Sequence, residues 1–79
     1  MLPANHHPHD AKWIASKLLE LPHDLRGPVC AAYSAAHAEA YEAEPVEHKK
    51  DGAARRSANS RLLSFVTRIT NNHLPPAQR

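Results

Sequence analysis

A single cysteine, Cys30, rules out an internal disulfide and a thiolate zinc site. One Phe, one Trp and two Tyr leave few large side chains for a core. No run approaches the roughly 18 apolar residues that a membrane-spanning helix needs. The start of the chain lacks the basic-then-apolar order of a secretion signal, and an unpaired cysteine fits a reducing compartment. A cytoplasmic location is therefore expected. Strand signals are missing as well: there is no sustained period-two alternation and no Asn-Gly or Asp-Gly hairpin between β-branched runs.

What remains is alanine, charge and helical spacing. A chain of 79 residues makes one domain at most, and chains of this size bury only about 60% of the surface exposed on unfolding. Alanine is the commonest apolar residue. It lets helices approach closely but removes little area from water, at roughly 25 cal/mol per Å². Self-association is the expected supplement, and a homodimer is the expected state.

Met1 to His9 carries two prolines and three histidines and reads as an irregular, flexible arm, 1–9. Asp10 then serves as N-cap for a first helix over 11–21, with Ile14, Leu18 and Leu21 on one face and Trp13 at its edge. Pro22 stops it. The segment Pro22 to Pro28 reads as a turn, and Pro28 suits a first helical position because its missing N–H costs nothing there. The second helix is expected over 28–43, with Val29, Ala32, Ala36, Ala40 and Ala43 as a narrow face and Tyr33 and Tyr41 beside it. One more turn before it would extend the stripe back to Leu25. Glu44-Pro45 ends this helix. A third is expected over 46–70, where Ala54, Ala58, Leu62, Phe65, Val66 and Ile69 recur at spacings of three and four. Gly52 weakens its start, Asn71-Asn72 can cap its end, and Pro75-Pro76 prevents resumption, leaving 73–79 as a disordered tail. The expected fold is all-α: a three-helix hairpin or bundle forming one helical domain over 10–72.

Charge divides along the chain. Met1 to Glu44 holds three Lys/Arg against six Asp/Glu, a net of −3, and Pro45 to Arg79 holds seven against two, a net of +5. The basic set is Lys49, Lys50, Arg55, Arg56, Arg61 and Arg68. Lys50, Arg61 and Arg68 align along one flank of the apolar stripe, with Ser57 and Ser64 between them. Such a flank suits phosphate, since guanidinium is planar and multidentate and hydroxyls add short hydrogen bonds. Lys50, Arg55, Arg56, Arg61 and Arg68 are thus the nucleic-acid candidates. The plainer alternative is a solvated helix face that pairs with Glu39, Glu42 and Glu44 of the preceding helix. Aromatics for base stacking are missing from the face, and no Gly-rich phosphate loop exists. A helix-turn-helix with the third helix as reader is a sharper form, but a Pro22–Pro28 connection exceeds the usual 3–4-residue turn.

Seven histidines are present. His6, His7 and His9 can bind a metal adventitiously, but a proline-containing arm does not fix ligand geometry, so no functional metal or cofactor is expected. His37 lies between the tyrosines and would titrate near neutral pH. Cys30, Ser34, Ser57, Ser60 and Ser64 sit in no nucleophile elbow or phosphate loop, so no catalysis is expected. Cys30 would sit in a first helical turn, where the dipole lowers a thiol pKa, unless it is simply buried.

The stretch LPHDLR, then AAYSAAHAEAYEAEP, then KKDGAARRSANSRLLSFV, covering more than half the chain, resembles small helical accessory proteins of phages and prophages. The resemblance implies a compact regulator or inhibitor that docks on a host or phage machine. Trp13, Tyr33, Tyr41, Arg61 and Arg68 are the candidate protein-binding residues, because aromatics and arginine dominate binding hot spots. A non-enzymatic helical interaction protein is the first expectation, and a nucleic-acid-binding regulator the second.

Overall fold

The computed structural model describes residues 1–72, with helices α1 (Ala11–Leu19), α2 (His23–Ala43) and α3 (Lys50–Asn72). Short 3₁₀ turns, Pro8–Asp10 and Glu47–Lys49, precede α1 and α3. The all-α expectation holds: among the described residues there is no strand. The expected tail, 73–79, lies outside them.

Each helix end has a local cause. Leu21 precedes Pro22, which disfavours helical backbone at that point. Pro22 itself is extended (φ −54, ψ 146), and its carbonyl accepts from Leu25 N at 3.0 Å, which opens α2 immediately. The second helix therefore starts five residues before the expected Pro28. Pro28 falls inside it, at an exposed position where water can take the bond its missing N–H leaves. Arg26 is the reason this early turn is held. Its Nε donates to Leu18 O (3.0 Å) and Leu21 O (3.2 Å), and its terminal nitrogen to Leu19 O (3.4 Å). One guanidinium from the first turn of α2 thus ties together three carbonyls at the end of α1, one of which, Leu18 O, also accepts from Leu21 N at 3.1 Å. Glu44 precedes Pro45 and turns extended (φ −80, ψ 117), ending α2 where expected. Helix α3 begins at Lys50 after the 3₁₀ turn and runs two residues beyond Thr70.

Tyr33 bonds to Asn59, and Lys50 to the carbonyl of Tyr41, so α2 and α3 run antiparallel as a hairpin. Asp10 meets Arg55 and Asn59, while Leu21 and Pro22 share a depression with Ile69 and Thr70. Helix α1 therefore lies along α3 in the parallel sense, covering the half of the hairpin farthest from its loop.

The core is Ile14, Leu18 and Leu21 from α1 and its exit, Val29, Cys30, Tyr33 and Ala36 from α2, and Ala58, Leu62 and Val66 from α3. Trp13, Phe65 and Ile69 pack around it, partly buried. The buried line on α2 passes through Val29, Tyr33 and Ala36, a spacing of four and three. Ala32 and Ala40 are only half-buried and Ala43 is exposed. The narrow alanine face gives way to one centred on an aromatic ring, because a 3.6-residue period carries Val29 to Tyr33.

Leu62 and Leu63 differ by one position and by almost everything else, at 1% and 47% exposure. Leu62→Ala is expected to lose about 2–5 kcal/mol of stability by urea unfolding, and Leu63→Ala less than about 0.5 kcal/mol.

Candidate interaction surface

Asp10 was expected to cap α1, but its side chain makes no cap hydrogen bond. It turns inward and takes two bonds from one guanidinium: Arg55 Nε to Oδ2 at 2.9 Å and the terminal nitrogen to Oδ1 at 3.0 Å. Asn59 Nδ2 adds a third at 3.1 Å, and Asn59 Oδ1 accepts from the Tyr33 hydroxyl. A chain of polar contacts therefore joins the start of α1 to the middle of α2 and α3. With its side chain only 13% exposed, Asp10 is a carboxylate that requires such partners. The Arg55 hydrogen bond, aided by Asn59, outweighs burial and holds its pKa below the ordinary 3.8.

This network engages two predicted site residues and buries one of them. Tyr33, expected as a docking aromatic, is 2% exposed, and burial pushes its phenol up to about 12. Arg55, a nucleic-acid candidate, holds Asp10 instead. A third, Lys50, caps α2: its Nζ donates to Tyr41 O at 3.0 Å and Glu44 O at 2.7 Å, and lies 5.2 Å from the centre of the Tyr41 ring. That contact also half-covers Tyr41, and Trp13 is half-buried against the core. The aromatic anchors are thus largely engaged inside the fold.

Arg56, Arg61 and Arg68 behave differently. All three are exposed, and none has an ion pair or hydrogen bond among the described residues. The pairing with Glu39, Glu42 and Glu44 does not form, while the solvated face of the plainer alternative does. The ion pairs among the described residues are Lys17–Glu20 and Arg55–Asp10. Arg61 and Arg68 line one shallow depression of about 240 Å³ with Ser64 and Phe65. Lys49 and Arg56 line another, of about 540 Å³, with Glu44, His48, Gly52 and Ala53. Lys49 was outside the expected site. Its placement depends on the 3₁₀ turn, which no periodicity argument supplies.

The arm crosses α2. Asn5 donates through its backbone N to Ser34 Oγ (3.2 Å) and through Nδ2 to Ser34 O (3.3 Å). His6 Nδ1 donates to Pro3 O at 2.8 Å, and His7 Nδ1 accepts from His9 N at 3.1 Å to start the first 3₁₀ turn. His37 stacks near Tyr33 (6.3 Å between ring centres), and burial holds its pKa below the ordinary 6.5. No group of three potential metal ligands converges among the described residues. Cys30 lies in the third turn of the longer α2 and is buried, which pushes its thiol pKa up and displaces the first-turn reading. No helix among the described residues is long and apolar enough to cross a membrane.

Two titrations check the network. A lowered carboxylate pKa stabilises the fold above the unfolded value and loses that contribution as pH falls through the folded one. Asp10→Ala is therefore expected to be less stable than the wild type at neutral pH, with the gap closing as pH falls below 3.8. A raised phenol works in the opposite direction: its contribution is complete below 10.0 and disappears as pH rises towards about 12. In Tyr41→Phe, where Tyr33 is the remaining tyrosine, phenolate absorbance is expected to rise only near pH 12 and together with unfolding.

Comparison with known protein families, with curated proteins and with solved structures gives no match.

Proposed function

We propose that this chain is a small non-enzymatic helical binding protein that docks through the outer face of α3 onto a larger protein or protein–nucleic-acid machine. The observation that carries this reading is the sorting of its cations. Arg26, Lys50 and Arg55 are engaged at helix ends and in the core network, whereas Arg56, Arg61 and Arg68 remain exposed without partners among the described residues. Exposed arginines on a regular helix present multidentate donors at fixed spacing along its axis, which suits recognition of an anionic partner. The proposed setting is cytoplasmic, as a phage-type accessory regulator, and the proposed state is a homodimer that adds burial to a thin core.

Nucleic acid as the direct partner is the second reading. It is favoured by the absence of any Asp or Glu after Asp51, so that nearly all of α3 presents no carboxylate to repel phosphate.

Affinity capture with the wild type and with Arg61→Glu/Arg68→Glu tests the docking face. Material held by the wild type is expected to be released by the double variant, and nuclease treatment separates protein from nucleic-acid partners. Identical capture by both proteins would remove this face from the function.

A further inference from the structure

The outer surface of α3 has an internal order that charge alone does not describe. At 3.6 residues per turn, Arg56 and Arg61 project about 140° apart around the helix. The two depressions flanking the helix agree with this, one lined by Arg56 with Lys49 and the other by Arg61 with Arg68. Between the flanks run Ser57, Ser60, Ser64 and Thr67, all exposed. The ridge farthest from the core is therefore narrow and hydroxylated, and cations stand on both sides of it.

We infer that α3 enters the major groove of duplex DNA, with its hydroxyl ridge towards the base edges and its two basic flanks on the opposing phosphate strands. This deepens the docking reading and rests on it. The B-form major groove is about 12 Å wide and an α-helix with side chains about 10–12 Å across. A helix with cations on one flank would lie against a single strand of phosphates; cations on both flanks match two. Arg56 to Arg68 spans about 18 Å along the axis, several turns of contact. Short Ser and Thr side chains let the helix axis come close, and their hydroxyls both donate and accept, as base edges require.

Two alternatives fit less well. An A-form RNA major groove is too deep and narrow to admit a helix. An acidic protein surface would also supply the charge complement, but not the two regular rows of charge that cations on both flanks match. The remaining carboxylates also orient the approach. Glu39 and Glu42 are exposed on α2, so that face repels DNA while the α3 face attracts it. Glu44, at the rim of the Lys49/Arg56 depression, weakens that flank relative to the other.

The test uses the full chain and a labelled mixed-sequence DNA duplex, followed by fluorescence anisotropy across a salt series. Four phosphate contacts predict a slope of log affinity against log salt of about −3.6, reduced by about 0.9 in each of Arg56→Ala and Arg61→Ala. Loss from both flanks shows that each flank meets phosphate, and the groove competitors below show from which groove. Ser60→Glu on the ridge is expected to abolish binding, and methyl green in the major groove to displace the protein while netropsin in the minor groove does not. All three positions are exposed, and unchanged far-ultraviolet circular dichroism verifies folding. Displacement by netropsin, or an Arg56→Ala protein with unaltered slope, would overturn groove entry. Absence of duplex binding together with Arg61/Arg68-dependent capture of a protein would overturn the inference and leave the docking reading standing.

Discussion

The carboxylate of Asp10 holds the arrangement together. It sits where the arm becomes α1, mostly out of water, and a charge in that position is tolerable only with a full set of donors. Arg55 and Asn59 supply them from one helix turn of α3, and Asn59 passes the contact on to Tyr33 of α2. Three helices are thereby registered at one point. The apolar cluster that holds Ile14, Leu18, Leu62 and Val66 is non-directional and cannot set register with the same sharpness.

The same contact shapes the outer surface. Arg55 and Arg56 are adjacent, so their side chains leave the helix about 100° apart. Turning Arg55 towards Asp10 turns Arg56 to solvent, on the flank opposite Arg61 and Arg68. The exposed arginines are therefore a by-product of how the core network is satisfied, and their spacing is as rigid as the helix that carries them. Arg26 and Lys50 repeat the principle at the helix ends. Each places a cation on carbonyls at a helix C-terminus, which favours it twice, by hydrogen bonding and by the helix dipole.

With so few large side chains, the interior relies on mixed solutions. Tyr33 fills volume that alanine cannot, and its hydroxyl is satisfied by Asn59. Burying it costs the molecule an exposed aromatic, which shifts the candidate surface from aromatic anchors to arginine and serine. The surface chemistry is thus partly a consequence of a small chain having to use its aromatics inside.

Much of this was legible in the order of residues. Apolar spacing identified three helices, Pro22 and Pro45 marked their boundaries, and the stripe from Ala54 to Ile69 on α3 was found correctly, since periodicity reports burial directly. Arg56, Arg61 and Arg68 were also recognisable as basic candidates, and the lack of carboxylates after Asp51 needs no structure to see. What the residues alone could not assign was the partner of each charge. Asp10 lies 45 positions from Arg55, and Lys50 reaches back nine positions to the Tyr41 carbonyl. Such pairings depend on which helix packs beside which, and on the early start of α2 that Arg26 secures. The helices and their amphipathic faces follow from local spacing and are readable in the order of residues. Which cations find a partner depends on the packing of the helices, because the carboxylate or carbonyl that each one meets is brought to it by folding.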